Sequence, residues 1–432
     1  MHILQQPLID FNQFFTLDES DRLVLVLQTI NAERLLHTLD GESPLGPNGY
    51  PSRVLWSALI AGVVYRLPSA AELRRQLLMN PYLRYVCGIH SVEQVPSEST
   101  FSRFLTDLVE HEELLDECVD DLVRRFAALA PGFGQATIAD STDIHAYARG
   151  KKEGAADPDA AWGAKGSKEA SSKNGKRRDN SGEKKKGKKG EKDKYWWFGY
   201  KLHLLVDAEY EVPIAALLTP ANESDTVQLK PLLEKRDELL PDTPLDLCVA
   251  DTGYDSTANI LAIEERGAIP IIPLNPGNEK EPPGITNTLG TPLCPAGLPM
   301  LFWGRDGHFL KYRCPEKSGL LCCLQEHAGT CHCSTSEYGL VIKLNMQDDP
   351  RRYLPVPRES KKFARLYKVR TGIERVNSRL KDNLILDELR VRGKKKVKVR
   401  VGLNLLVMLA IAVAMAERNR LEDCRRIITC AA

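Results

Sequence analysis

Between residues 363 and 381, apolar side chains recur at Leu366, Val369, Ile373, Val376 and Leu380, the spacing of one buried helical face, and the pattern predicts a helix across the whole run. At about 100° per residue, Tyr367, Arg370, Glu374 and Lys381 then fall within an arc of roughly 60° beside that stripe. A charged stripe is ordinarily a solvated face, but this one gathers an acid, two cations and a phenol. The N-terminal third also has helical periodicity. Residues 23–30 and 54–65 are rich in apolar side chains, Ser69 and Glu72 have capping-box spacing, and Phe101, Phe104, Leu105 and Leu108 repeat at helical intervals. Short helices separated by turns permit a helix-turn-helix-like unit, with a helix starting near Ser97 that carries Ser102 and Arg103 outward; an ordinary helical bundle is the alternative.

The middle of the chain alternates instead. Residues 136–143 and 245–254 each begin as a β-like run and reach an acid, Asp140 and Asp251, where a buried strand would end. Residues 198–206 and 211–218 predict a hairpin joined by 207–210, followed by a helix over about 226–240, the strand to Asp251, a helix after Asp255 and a strand at 268–272. The pattern is that of a mixed sheet flanked by helices, an α/β class. Ligands collect at the carboxyl ends of strands in such folds, so Asp140, Asp251 and Glu374 can converge. Three carboxylates held close repel one another unless cations neutralise them, and hard divalent ions with oxygen ligands suit the task. The implied cofactor is magnesium, or manganese in its place. His203, inside the hairpin, is read as a half-buried strand histidine rather than a catalytic one.

With 432 residues, 43% of them hydrophobic, the chain can build two or three domains with sizeable cores. Its net charge of +1 conceals a segment, 151–194, so rich in Lys, Gly and Ser that it predicts a flexible basic loop, either a solvated insertion or a contact for DNA phosphates. Residues between 272 and 363 are rich in Pro, Gly and Cys. They hold Cys294, Cys314, Cys322, Cys323, Cys331 and Cys333, with His308, His327 and His332 nearby. Cys314, Cys322, Cys323, Cys331 and Cys333 are candidate zinc ligands, although no paired CxxC spacing occurs and reduced structural thiols are the alternative. Trp303 is expected in a core, with stacking on an unpaired base as its other reading. No secretory signal is expected, since residues 1–17 lack a sustained apolar run. The apolar stretch 401–416 is shorter than a bilayer span and contains Asn404, so it predicts a buried packing helix and a cytoplasmic protein without a membrane partner.

Three acid-bearing motifs stand in order: Asp140 in DSTDI, Asp251 in ADTGYDS, and Glu374 in YKVRTGIERVNSRLK. Together with PSESTFSRF at 96–104 and WWFGYKLHLLVDAEYEVPIAALLTPANESD at 196–225, they span most of the chain. In these segments the chain resembles the DDE transposases of bacterial insertion sequences, in the group marked by a Tyr-Arg-Glu-Lys signature. The resemblance implies an RNase H-like core beginning in 131–275 (with the basic loop at 150–194), preceded by a helical domain over 1–130 that binds terminal inverted repeats. It also implies a Cys-rich insertion at 276–355, and the catalytic and packing helices at 356–432. Asp140, Asp251 and Glu374 would hold magnesium or manganese, and Tyr367, Arg370 and Lys381 would contact the DNA phosphates beside the cut. Cleavage at the element ends would be followed by transfer of the 3′-hydroxyl into target DNA, without a covalent protein intermediate, so Tyr367 is not read as a nucleophile. Two ends must be synapsed, which implies a homodimer on DNA. The alternatives are a transposase-derived DNA-binding regulator that no longer cuts, and a metal-dependent nuclease of the same fold that does not join.

Overall fold

The computed structural model describes residues 21–41, 49–150, 154–165, 195–275, 286–318 and 334–427. Its N-terminal part is helical: α1 (Arg22–Thr29), α2 (Glu33–Gly41), α3 (Ser52–Val64), α4 (Ala70–Met79), α5 (Pro81–Val86), α6 (Glu98–Glu110) and α7 (Glu112–Leu129). Short polar residues start several of these helices by accepting otherwise unpaired first-turn amides. Ser69 accepts from the Glu72 amide, Asn80 from Leu83 and Ser97 from Thr100. On α6 the apolar positions Phe101, Phe104, Leu105 and Leu108 are buried, and Ser102 and Arg103 are exposed.

The sheet comes next in the chain. It is built from β1 (Ala136–His145), β2 (Ala161–Lys165), β3 (Tyr195–Asp207) and β4 (Pro213–Pro220), then α8 (Leu229–Leu239), β5 (Leu247–Ala250), α9 (Thr257–Glu264) and β6 (Ile269–Ile271). The strand order is β2-β3-β1-β5-β6, with β4 also on β3. Strands β2 and β4 lie end to end along one edge of the long β3, while β1 pairs antiparallel with its other edge and parallel with β5. The expected helix over 226–240 begins as a tight 3-10 turn, Asp225–Gln228, before α8.

One expectation is corrected at β2. The composition of 151–194 predicts a basic loop throughout, yet 161–165 is a strand on β3. Its apolar content explains this. Trp162 packs on Phe198, and Gly163 lies beneath Trp197 so closely that an added Cβ would fall 2.5 Å from the indole. Asp157, fully buried, accepts from the Tyr200 hydroxyl at 2.7 Å and from the Gly393 amide at 3.0 Å. Residues 151–153 and 166–194 of the same stretch lie outside the described residues.

Beyond β6 a small antiparallel sheet, β7 (Leu301–Asp306), β8 (Phe309–Arg313) and β9 (Val341–Asn345), encloses its own cluster of Met300, Leu310, Tyr312 and Leu344. Trp303 does not enter that core. It is 51% exposed and covered on one side by the Arg313 guanidinium, 4.7 Å from its ring. On β7, Phe302 and Trp303 are both exposed, because the sheet is too small to cover its two faces.

The run expected as one helix over 363–381 is broken by its backbone. Helix α10 (Lys361–Tyr367) passes through a 3-10 turn, Lys368–Arg370, into α11 (Thr371–Ser378), which widens into a π-helical turn, Arg379–Asn383. Finally α12 (Lys394–Glu417) opens on a Lys-rich turn, and from Val401 to Ala416 it is apolar and buried on every side, as a helix of that composition must be in water. Its Asn404 is accommodated by donating to the Leu384 carbonyl at 2.8 Å. Helix α12 packs on α1, α3, α6, α7 and β4. The helices of residues 22–129 therefore share one continuous core with α12, β1 and β3. A second core, with Leu233, Val249, Ile260, Ile271 and Phe363, fills the other side of the sheet beneath α8, α9 and α10.

Candidate active site

The parallel register of β1 and β5 pairs Ala139 with Ala250, which sets Asp140 beside Asp251. Only Asp251 follows a strand end: Asp140, expected where its strand runs out, lies in the middle of β1, which continues to His145 because β3 keeps pairing with it. Each carboxylate is oriented by the residue after it. Asp140 accepts from the Ser141 amide at 2.8 Å, and Asp251 from the Thr252 amide at 2.6 Å. The 3-10 turn at 368–370 packs on β5 and α11 on β1, which brings the third acidic motif to both strands. There Arg370 spans two acids: one guanidinium nitrogen is 3.2 Å from Asp140 and another 2.6 Å from Glu374. The Arg370 guanidinium also lies 5.9 Å from the Tyr367 ring centre.

The electrostatics agree with a crowded anionic site. Burial pushes the Asp140 carboxyl up to about 6, and the charge of Asp251 pushes the same way, against the Ser141 amide, Arg370 and Lys165. Burial also raises the Tyr367 phenol, which lies in the field of Arg370, Asp251, Asp140 and Glu374 together. Asp140, Asp251 and Glu374 are hard oxygen donors of the kind that hold divalent cations, and an ion would offset both the burial that raises Asp140 and the lesser push from Asp251. The donor chemistry fits. Among the described residues, however, no three His, Cys, Asp or Glu side chains stand close enough together to hold an ion, and Glu374 is engaged with Arg370.

Lys381 stands elsewhere. The π-helical turn brings its ammonium to Asp143, at 3.5 Å, and Asp387, at 3.2 Å. Asp143 also meets His145, Lys165 and the Tyr195 hydroxyl. Burial works against its charge, but the His145 hydrogen bond and the Lys381 and Lys165 ammoniums together hold its carboxyl well below the usual range.

Sequence reasoning missed a polar strap behind the two aspartates. Asp225 takes a hydrogen bond from the Ser141 hydroxyl at 3.1 Å and pairs with Lys201 at 2.9 Å. The next residue, Thr226, donates its hydroxyl to the Gly253 carbonyl at 2.8 Å, and Asn259 donates to the carbonyls of Thr226 and Tyr254. The turn at 225–226 thus ties the residue after Asp140 to the turn after Asp251. Gly253 permits the close approach, since a Cβ there would sit 3.3 Å from Asp225. An acid closing the ANESD segment, at the break after a strand, was the available signal. His203 completes the group. It is fully buried rather than half-buried, 2.9 Å from the Thr219 hydroxyl and 3.5 Å from that of Tyr254, and burial lowers its imidazole to about 4.

Asp255 joins this region to the small sheet. It accepts from the Asn275 amide at 2.7 Å and pairs with Arg351 at 2.8 Å, which brings together the two ends of the intervening segment. Of the candidate zinc ligands, Cys314 is a buried free thiol, while Cys322, Cys323, Cys331 and Cys333 lie outside the described residues.

Compared with known proteins, residues 131–410 match the family described as "Transposase DDE domain", and residues 10–107 match "Transposase domain (DUF772)". Over 79 residues the chain is 39% identical to the "Putative transposase for insertion sequence element IS402" of Burkholderia cepacia, a match covering 17% of this chain and 37% of that protein. Among solved structures, the piggyBac transposase in its synaptic complex with hairpin DNA aligns with 95% of this chain and 79% of its own, at 9% identity and a TM-score of 0.41. The first of these matches takes in Asp140, Asp251 and Glu374 with every strand of the large sheet, and the chain belongs to the DDE-domain transposase family.

Proposed function

We propose that this protein is the transposase of an insertion sequence, cutting phosphodiester bonds at the ends of its element and transferring the freed 3′-hydroxyl into target DNA. The observation that carries the reading is the placing of Asp140 and Asp251 side by side on adjacent parallel strands, with Arg370 joining Asp140 to Glu374. In this reading the large sheet is an RNase H-like core, and the Tyr-Arg-Glu-Lys signature is Tyr367, Arg370, Glu374 and Lys381. The family implies a divalent metal cofactor. Asp140, Asp251 and Glu374 would hold it, and when bound it would supply Lewis-acid polarisation of the phosphodiester and a more acidic attacking water or hydroxyl.

The chain's own groups do the rest. Arg370 exchanges its carboxylate partners for the phosphate beside the cut, where its planar fork suits two parallel hydrogen bonds. Tyr367 positions that guanidinium and donates to the same phosphate. Lys381, held by Asp143 and Asp387, supports the neighbouring one. Asp225 and Thr226 fix the spacing of the two aspartates. Helix α6, with Ser102 and Arg103 outward, is proposed to read the terminal repeats, and two copies to synapse two ends.

The test is magnesium- or manganese-dependent nicking of a duplex carrying the element's ends, with Glu374→Gln alongside the intact protein. The expected outcome is that Glu374→Gln binds the duplex but does not nick it; equal cutting by both would remove Glu374 from the site. Joined products from an oligonucleotide with a free 3′-hydroxyl separate a transposase from a nuclease.

A further inference from the structure

Away from the three acids, a cavity of about 460 Å³ opens where α4 and α6 meet the start of α12. Four cations line it, Arg390, Arg392, Lys396 and Arg400, along with Tyr147 and Ser102, and no Asp or Glu does. Arg400 is the unusual member. It is only 8% exposed, and among the described residues its guanidinium has no hydrogen bond and no ion pair; its nitrogens are not among the fully enclosed unpaired atoms, so they open onto the cavity. Burial alone pushes it down to about 10, with no carboxylate acting on it. A buried cation without a counter-charge costs stability unless something neutralises it.

Leu59, Leu67, Leu73, Phe101 and Leu105 make much of the remaining wall apolar. Arg390 and Arg392 flank the Tyr147 ring, at 5.6 and 5.3 Å, and Arg392 donates to the Tyr147 carbonyl at 2.9 Å, so two guanidiniums are held at the rim. Ser69 and Ala70, the start of the ten-residue α4, also border the space and add the positive end of a helix dipole. Glu72, in the first turn of α4, is not part of the lining.

We propose that this cavity is a phosphate-binding site, separate from the acid cluster, in which Arg400 is the deep ligand and Arg390, Arg392 and Lys396 are the outer ones. A phosphoryl group offers several acceptor oxygens to guanidinium forks arriving from different elements. The phosphate comes either from a DNA backbone or from a free nucleotide or orthophosphate. Only the first source rests on the transposase reading.

The experiment compares the full-length protein with Arg400→Gln in two measurements. The first is thermal unfolding with and without millimolar orthophosphate at matched ionic strength. The second is duplex-oligonucleotide binding across a salt series. Orthophosphate should raise the melting temperature of the intact protein and not that of Arg400→Gln, which should itself be at least as stable without ligand. If the site takes a backbone phosphate, Arg400→Gln should bind duplex about tenfold more weakly at low salt, with the log–log salt slope smaller by about 0.9. Loss of the orthophosphate effect with unchanged duplex binding assigns the site to free phosphate. If Arg400→Gln responds to both ligands as the intact protein does, the proposal fails. Should that variant not fold, the Arg390→Gln/Lys396→Gln pair is read by the same criteria. Because the orthophosphate measurement needs no DNA cleavage, a protein that never nicks DNA can still pass or fail it.

Discussion

Arg370 sits between Asp140 and Glu374, two of the proposed cation ligands, and this has a measurable consequence at the scale of the single residue. Replacing it by Gln removes a competing positive charge, so divalent-ion binding without DNA should tighten by about tenfold, the effect of about 1.4 kcal/mol. Titrating Mn²⁺ by its electron paramagnetic resonance signal checks this, and unchanged affinity would show that Arg370 does not compete. His203 gives a pH prediction. Its folded-state value is depressed to about 4, so the folded protein keeps it neutral while the unfolded chain takes up a proton below about 6.5. The stability this secures is fully present above pH 6.5 and is lost as pH falls toward 4, by up to about 3 kcal/mol. His203→Gln should lose less stability than the intact protein between pH 7 and 4.5 in urea unfolding. Asp251 was legible because it ends a buried run, and Asp140 because its acid motif stands in an apolar β-like run, although the strand continues past it. Asp225 was not, because its partners Ser141 and Lys201 lie on two other strands, and only the pairing of those strands brings the three together.

Among the elements, the strap at 225–226 and the broken helix at 361–383 decide how the acids face one another. Thr226→Val keeps the shape and removes the hydroxyl bonded to Gly253. About 1 kcal/mol of stability should go with it, as for a typical hydrogen bond. The nicking rate at saturating DNA should fall about tenfold with little change in duplex affinity; an unchanged rate would leave the strap a purely structural tie. Apolar periodicity identified the helix that carries Glu374, but it could not show the 3-10 and π-helical turns: Leu366 and Val369 lie half-buried against one core and Ile373, Val376 and Leu380 are buried in the other, so the spacing reads the same while the backbone turns between and within them. That rotation sends Lys381 to Asp143 instead of to Glu374. Strand β2 was hidden for a different reason: five residues beside a Lys-rich run carry too little pattern, and only Trp162 and Gly163 mark its packing.

The whole molecule is organised around α12, which the sequence marked as buried without showing what buries it. Leu406, fully buried there, lies in the core shared by the N-terminal helices and the sheet. Leu406→Ala should cost about 2 to 5 kcal/mol, and denaturant unfolding should show the helical part and the sheet failing together. Separate transitions would mean that the shared core does not couple them. The same arrangement governs synthesis. Chains emerge from the ribosome N-terminal end first, and segments that can close their own core fold as they appear. Here α1, α3, α6 and α7 await a helix some 265 residues or more downstream of α7, so they leave the ribosome long before the surface that completes them. A nascent copy therefore exposes apolar helix faces through most of its translation, and the cavity lined by Arg390, Arg392, Lys396 and Arg400 forms only after the start of α12 has emerged.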